Sequence, residues 1–310
     1  MDASRPVWHY TRNDAIEKII ANHELWAGDV GTLNDSLELH LGNKRVRQSF
    51  RDLRDTWDWH DDANPEIDFE ELGEVLEGAA FDVFQGSAYV TCFTPDSDDT
   101  GQWQKYAGAT GFALSIPEGV YLPVLGEDPI EPVWGAYVEE SPFRWLTLRY
   151  NKREQLEIAR RAIWYVQEGI EEGAFIDARH DAGDNFGSIF RDRGSSGYVD
   201  AVASIKHRDF RSEREVRYAV ERPNNPSAIH LSPGGSAHLR LTGASENPLG
   251  TLWNRHDPPY YQATPSLLPI LSIRVGPGND FEAVKPWLRA ILDANGYDHV
   301  AIERSKSPLR

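Results

Sequence analysis

The chain has 310 residues, with 49 Asp and Glu against 32 Lys and Arg and a formal net charge of -17. That balance argues against a broad nucleic-acid footprint or an anionic membrane surface. One cysteine excludes an internal disulfide framework and a Cys-rich zinc site, and no apolar run approaches the length of a membrane span.

The opening Met-Asp-Ala-Ser-Arg-Pro lacks the basic start and apolar core of a signal peptide, so a cytoplasmic protein is expected. The first predicted element is a strand, Val7-Trp8-His9-Tyr10-Thr11. Alternation sets Val7, His9 and Thr11 on one face and Trp8 and Tyr10 on the other. A His and a Thr two apart on one face can offer an imidazole and a hydroxyl to one ligand, or be a satisfied histidine on a buried strand. Ile16, Ile19, Ile20 and His23 follow at helical spacing, with Thr11 or Asn13 as the expected cap. Asn34 and Asp35, with Glu38 beyond, read as a turn and helix start. A helix over 36–54 carries Lys44, Arg45, Arg47, Arg51 and Arg54 on a basic side.

Residues 55–82 hold 11 acidic residues and no Lys or Arg. They read as a solvated, partly helical segment, although such a run could also bind a basic partner. A buried strand is predicted over 86–94, with Cys92 as a small core residue. An acidic loop, Pro95–Gly101, leads to a short helical turn that would set Trp103 and Tyr106 on one face. Strands are predicted over 110–116 and 133–138, and a long helix over 145–172. A Gly-, Asp- and Arg-rich loop is predicted over 177–197. Two strands follow, 198–206 and 214–220, with Glu213, Glu215 and Arg217 alternating onto one face. Such a charged row is costly to bury unless it is paired or serves a ligand. A charged edge strand would explain it equally. Residues 223–265 read as loops, and the chain closes as strand 270–276, helix 280–294 and strand 298–302. With no linker or repeat, 1–310 reads as one domain with insertions at about 55–82 and 145–172.

There is no P-loop, no HExxH, no GxSxG and no GxGxxG. The separated elements that remain are the residue types needed to cleave the nicotinamide–ribose bond of NAD. A His and a Thr bind ribose hydroxyls, an aromatic ring stacks on nicotinamide, and a carboxylate stabilises an oxocarbenium-like transition state. This chemistry requires no metal.

The His9-Tyr10-Thr11 opening and its Ile-rich helix resemble the first signature of the ADP-ribosyltransferase fold. Glu213-Arg214-Glu215 is similar to the Glu-x-Glu motif of the arginine-type transferases. The chain also resembles a prokaryotic family of unknown function, through His9-Tyr10-Thr11, Asn34-Asp35 with Glu38, Cys92-Phe93-Thr94, Trp103 with Tyr106, Glu213-x-Glu215-x-Arg217, Val275-Gly276-Pro277 and Ser305 to Arg310. The resemblance implies an α+β core of two small, mostly antiparallel packed sheets with surrounding helices and a helical insertion. It implies an NAD-consuming ADP-ribosyltransferase, a glycosyltransferase of the kind that serves as a toxin or in antiviral, anti-phage defence. Its acceptor would be a protein or nucleic acid, with room for an activating partner.

Carried over by motif, Glu215 is the catalytic carboxylate and Glu213 orients the acceptor. His9 contacts the NAD ribose and Thr11 supports that contact, with Tyr10 between them as a further NAD-binding residue. Tyr106 stacks on nicotinamide, Trp103 is the alternative ring, and Arg217 pairs with a carboxylate or phosphate. The long helix at 145–172 and the lack of a Ser-Thr-Ser triplet depart from compact transferases. An NAD glycohydrolase of the same fold and a non-catalytic sensor or binding module are the alternatives.

Overall fold

The computed structural model describes residues 5–32, 37–58, 67–83, 88–126, 143–171, 197–221, 223, 225–244 and 264–309. These form two compact units. One comprises Met1–Gly28, Tyr89–Trp145 and Ser212–Arg310, and the other Asp29–Ala88 and Leu146–Arg211. The architecture is α+β, with two mostly antiparallel sheets.

In chain order the strands are β1 (Pro6–Thr11), β2 (Leu25–Asp29), β3 (Ala88–Phe93), β4 (Phe112–Pro117), β5 (Phe143–Thr147) and β6 (Val216–Glu221). Then come β7 (His230–Leu231), β8 (Ala237–Leu241), β9 (Ser272–Val275) and β10 (Ala301–Arg304). The helices are α1 (Asn13–Asn22), α2 (Leu37–Thr56), α3 (Phe69–Val83), the single turn α4 (Thr100–Gln102), α5 (Lys152–Glu171), α6 (197–203) and α7 (Phe281–Ala294).

The four-stranded sheet has the order β1-β4-β9-β10. β1 pairs antiparallel with β4, His9 opposite Leu114, and β9 and β10 run parallel around α7. The six-stranded sheet runs β5-β6-β3-β2-β8-β7. The two meet where Trp8 and Thr94 exchange backbone hydrogen bonds of 2.7 and 2.9 Å. Alternation explains the core of this unit. Val7, Leu25, Ala27, Leu114, Ile116, Leu239, Leu241 and Ile273 turn inward and meet Ile16 and Ile20 of α1 and Leu288 and Leu292 of α7. At about 25 cal/mol per Å² of buried apolar area, this contiguous cluster is the unit's main source of stability.

The second unit is helical. Val46 and Leu53 of α2, Leu72 and Leu76 of α3, Ala159, Ile163 and Val166 of α5, and Tyr198 and Val202 of α6 form its core. The Tyr198 hydroxyl donates to Asn43 Oδ1 at 2.5 Å. Gln155 Nε2 donates to the Arg149 and Lys206 carbonyls, satisfying backbone acceptors that burial would otherwise strand.

Several elements differ from expectation. Residues 198–206 begin as helix α6, not a strand. Tyr198, Val199, Val202 and Ala203 all reach the helical core, and a short unbroken apolar run does not distinguish a buried helix from a buried strand. The helix expected over 145–172 starts only at Lys152, because β5 precedes it and Asn151 Oδ1 accepts the Arg153 amide at 2.9 Å. The α1 N-cap is Arg12, whose side chain makes no capping bond, rather than Thr11 or Asn13. His23 lies at the α1 C-cap in the left-handed region, φ 58°, rather than within the helix. β7 and β8 lie within 223–265, which reads as loop. Asn34-Asp35, the strand expected at 133–138 and nearly all of the 177–197 loop lie outside the described residues.

Candidate functional site

β1 carries the first group. Val7 lies in the main core, while Trp8 and Tyr10 join a separate cluster with Trp103, Ala107 and Ala113. His9, on the Val7 side, packs near the Phe93 ring, with centroids 5.7 Å apart. Its Nδ1 donates to the Cys92 carbonyl at 3.0 Å. A carbonyl only accepts, so the proton sits on Nδ1 and Nε2 keeps its lone pair. Burial pushes the imidazole below its ordinary value, and the bond to Cys92 opposes that in part. His9 is therefore a neutral ring of fixed tautomer. Thr11, two residues on, is buried.

Tyr10 commits its hydroxyl within the protein and not to a ligand. It is buried, and its hydroxyl donates to the Asp96 carbonyl at 2.9 Å and accepts the Asp99 amide at 3.0 Å. Burial, ahead of its neighbours, raises its phenol far above the usual value. Its work is to hold the loop that follows β3.

That loop, 94–107, is the hub of the site. Asp99 Oδ1 accepts the Gln102 amide at 2.9 Å and caps α4. The chain then winds as a π turn over Trp103–Ala107, closed by the Gly108 amide on the Trp103 carbonyl at 2.7 Å. This wider winding overturns the shared face expected for Trp103 and Tyr106. At more than four residues per turn, positions three apart do not align. Trp103 is 0% exposed and donates from Nε1 to Asp98 Oδ1 at 2.8 Å, whereas Tyr106 is 37% exposed. A ring with no exposed surface cannot receive a planar ligand, and of the two only Tyr106 has exposed surface.

Residues 213–217 do not form one alternating strand. Glu213 ends a 3-10 turn, Arg208–Glu213, and β6 starts at Val216. Between them Arg214 adopts φ 46°, a left-handed conformation that costs a non-glycine residue about 1–3 kcal/mol. A contact of 2.7 Å from Arg214 Nη1 to Asp96 Oδ1 helps hold it there. Such strain breaks the two-residue period.

Glu213 is buried. Its Oε1 accepts from Lys105 Nζ at 2.8 Å, and its carbonyl accepts from Gln102 Nε2 at 3.2 Å. Glu215 and Arg217 are buried together, with Arg217 Nε donating to Glu215 Oε1 at 2.6 Å. Such a pair is weak evidence for stability, because its attraction mainly repays desolvation.

The hub thus ties three sequence-predicted groups to one segment. β1 reaches it through Tyr10, the Glu-x-Glu region through Asp96, Gln102 and Lys105, and the aromatic pair belongs to it. Lys105, Asp96, Asp98 and Gln102 were not singled out from the sequence. Their one legible signal is the density of Asp in Pro95-Asp-Ser-Asp-Asp-Thr, which suits caps and turns.

Among the described residues no group of three or more His, Cys, Asp or Glu could hold a metal ion, and no helix is long and apolar enough to cross a membrane. No protein-family model, curated protein or solved structure matches the chain.

Proposed function

We propose that this chain is an NAD-consuming ADP-ribosyltransferase with a macromolecular acceptor. One observation carries the reading: the neutral His9, with Nδ1 committed to the Cys92 carbonyl, keeps Nε2 as an acceptor. A ribose hydroxyl is the donor that such a nitrogen suits. Tyr106 would stack on nicotinamide, and Thr11 would support His9.

Glu215 would face the ribose as the C1′–N bond breaks and the electron pair leaves with nicotinamide. Its ion pair with Arg217 suits a group that offers negative charge rather than a proton. Glu213 would orient the acceptor nucleophile, which bonds to C1′ and releases its proton to solvent, and Arg217 would keep Glu215 in place. The acceptor is a protein or a nucleic acid, and a role in toxicity or antiviral defence belongs to the same reading.

The burial of Glu213 and Glu215 favours a second reading, a binding module in which both carboxylates are structural. Incubation with NAD labelled in its ADP-ribose half separates these readings. Label on a macromolecule in cell lysate supports transfer. Free labelled ADP-ribose without acceptor supports a glycohydrolase of the same fold. Intact NAD in every arm, with folded protein, supports the binding module.

A further inference from the structure

Beyond β10 the chain returns to the hub. The Ser305 amide donates to the Val275 carbonyl at 3.0 Å, extending the pairing of β9 and β10. Ser305 Oγ then donates to Asp98 Oδ1 at 2.5 Å, and the Lys306 amide to Asp98 Oδ2 at 2.6 Å. Trp103 Nε1 donates to that same Oδ1 at 2.8 Å. One carboxylate therefore gathers an indole, a hydroxyl and a backbone amide from two segments distant in sequence. Thr100 Oγ1 lies 3.0 Å from Ser307 Oγ, and Leu309 packs on the cluster of Trp8, Tyr10 and Trp103. Arg274 secures the start of the loop. Its Nη1 donates to Ser97 Oγ at 2.6 Å, and its guanidinium lies 4.9 Å from the Trp8 ring centre.

The stretch Asp98–Lys105 is thus held at its start by 305–307. At its end it holds Glu213, through Gln102 and Lys105. Trp103 stands between the two ends, wholly buried.

We propose that Asp98 is a positioning residue, and that 305–309 is a clasp which fixes the π turn so that Tyr106 and Glu213 keep their places. The clasp's role in catalysis rests on the NAD reading, but the coupling itself does not. Charge-assisted bonds to a carboxylate are the strong class of hydrogen bond, so Asp98 is the point at which the clasp is strongest. Asp98 touches no reacting atom. Its effect passes through Trp103 and the turn.

Amide hydrogen exchange of the full chain tests this, with Asp98→Asn and, separately, the double variant Ser305→Ala/Ser307→Ala. Both variants are expected to raise exchange by about tenfold over 99–108 and 208–216, while α5 and α7 keep theirs. Asp98→Glu should recover part of the protection. In a nicotinamide-release assay the same variants should lower kcat with little change in KM for NAD. Faster exchange confined to 305–309 would overturn the proposal, because the segment would then be docked without positioning anything. If Asp98→Asn unfolds the chain, the double serine variant carries the test, since it leaves Asp98 and Trp103 intact. Coupled exchange without any nicotinamide release would sustain the clasp and overturn the NAD reading.

Discussion

His9 on β1 donates its Nδ1 proton to the backbone carbonyl of Cys92 on β3, across 3.0 Å. One hydrogen bond thus decides which nitrogen a ligand would meet. His9→Asn keeps a donor near the Nδ1 position and removes Nε2. It should leave unfolding free energy within about 1 kcal/mol of wild type. NAD affinity should fall roughly tenfold, the worth of one hydrogen bond, when measured by calorimetry. Equal affinity would remove His9 from the site.

The same ring predicts a pH dependence. The His9 imidazole is held below its ordinary value of 6.5 by burial, and those of His230 and His238 are lowered as well. Below 6.5 the unfolded chain takes up protons that the folded chain refuses. Stability is therefore full above 6.5 and is lost as pH falls through the folded values. Thermal melts from pH 8 to 5 should show a falling Tm only in the acidic part, and His9→Asn should flatten that fall.

Glu215 and Arg217 should not behave as independent surface charges. Arg217→Met leaves a buried carboxylate without its guanidinium and should lower stability by about 3–5 kcal/mol in denaturant unfolding. Adding Glu215→Gln should restore most of that loss. If the single change were mild, the pair would be far more hydrated than its burial indicates.

Trp103 and Tyr106, three residues apart, should separate cleanly. Trp103→Ala opens a cavity in the Trp8–Tyr10 cluster and should cost about 3–5 kcal/mol. Tyr106→Ala should change stability by no more than about 1 kcal/mol yet slow nicotinamide release. The opposite pattern would mean that the π turn is wound differently.

Gly111 lies where β1 and the π turn close on each other. A β-carbon there would stand 2.3 Å from the Ala107 carbonyl oxygen and 2.6 Å from that of Thr11. Both are backbone atoms, so neither can swing aside. Gly111→Ala should cost about 1–3 kcal/mol, read as a lower denaturant midpoint.

The sequence made legible those parts of the fold that obey a simple period. The alternation of Val7, His9 and Thr11 against Trp8 and Tyr10, and the spacing of Ile16 and Ile20, both reappear in the packing. Periodicity failed where the backbone departs from standard geometry. The π turn separates Trp103 from Tyr106, and the left-handed Arg214 separates Glu213 from β6. Neither departure has a residue signature, since no glycine marks Arg214 and π winding shows no pattern of its own. Asp98 was illegible for another reason. Its partners Ser305 and Lys306 lie some two hundred positions away, and only the folded chain brings them to it.

The most direct test of the central claim is nicotinamide release from NAD by the purified full chain. It should be measured beside Glu215→Gln and His9→Asn, with and without cell lysate, each variant first shown to be folded. The account predicts release by wild type, at least about a hundredfold slower in Glu215→Gln, as for loss of one electrostatic stabiliser of a transition state. It predicts weaker apparent NAD binding in His9→Asn. Folded wild-type protein that releases no nicotinamide in either arm, or variants that release it at the wild-type rate, would contradict it.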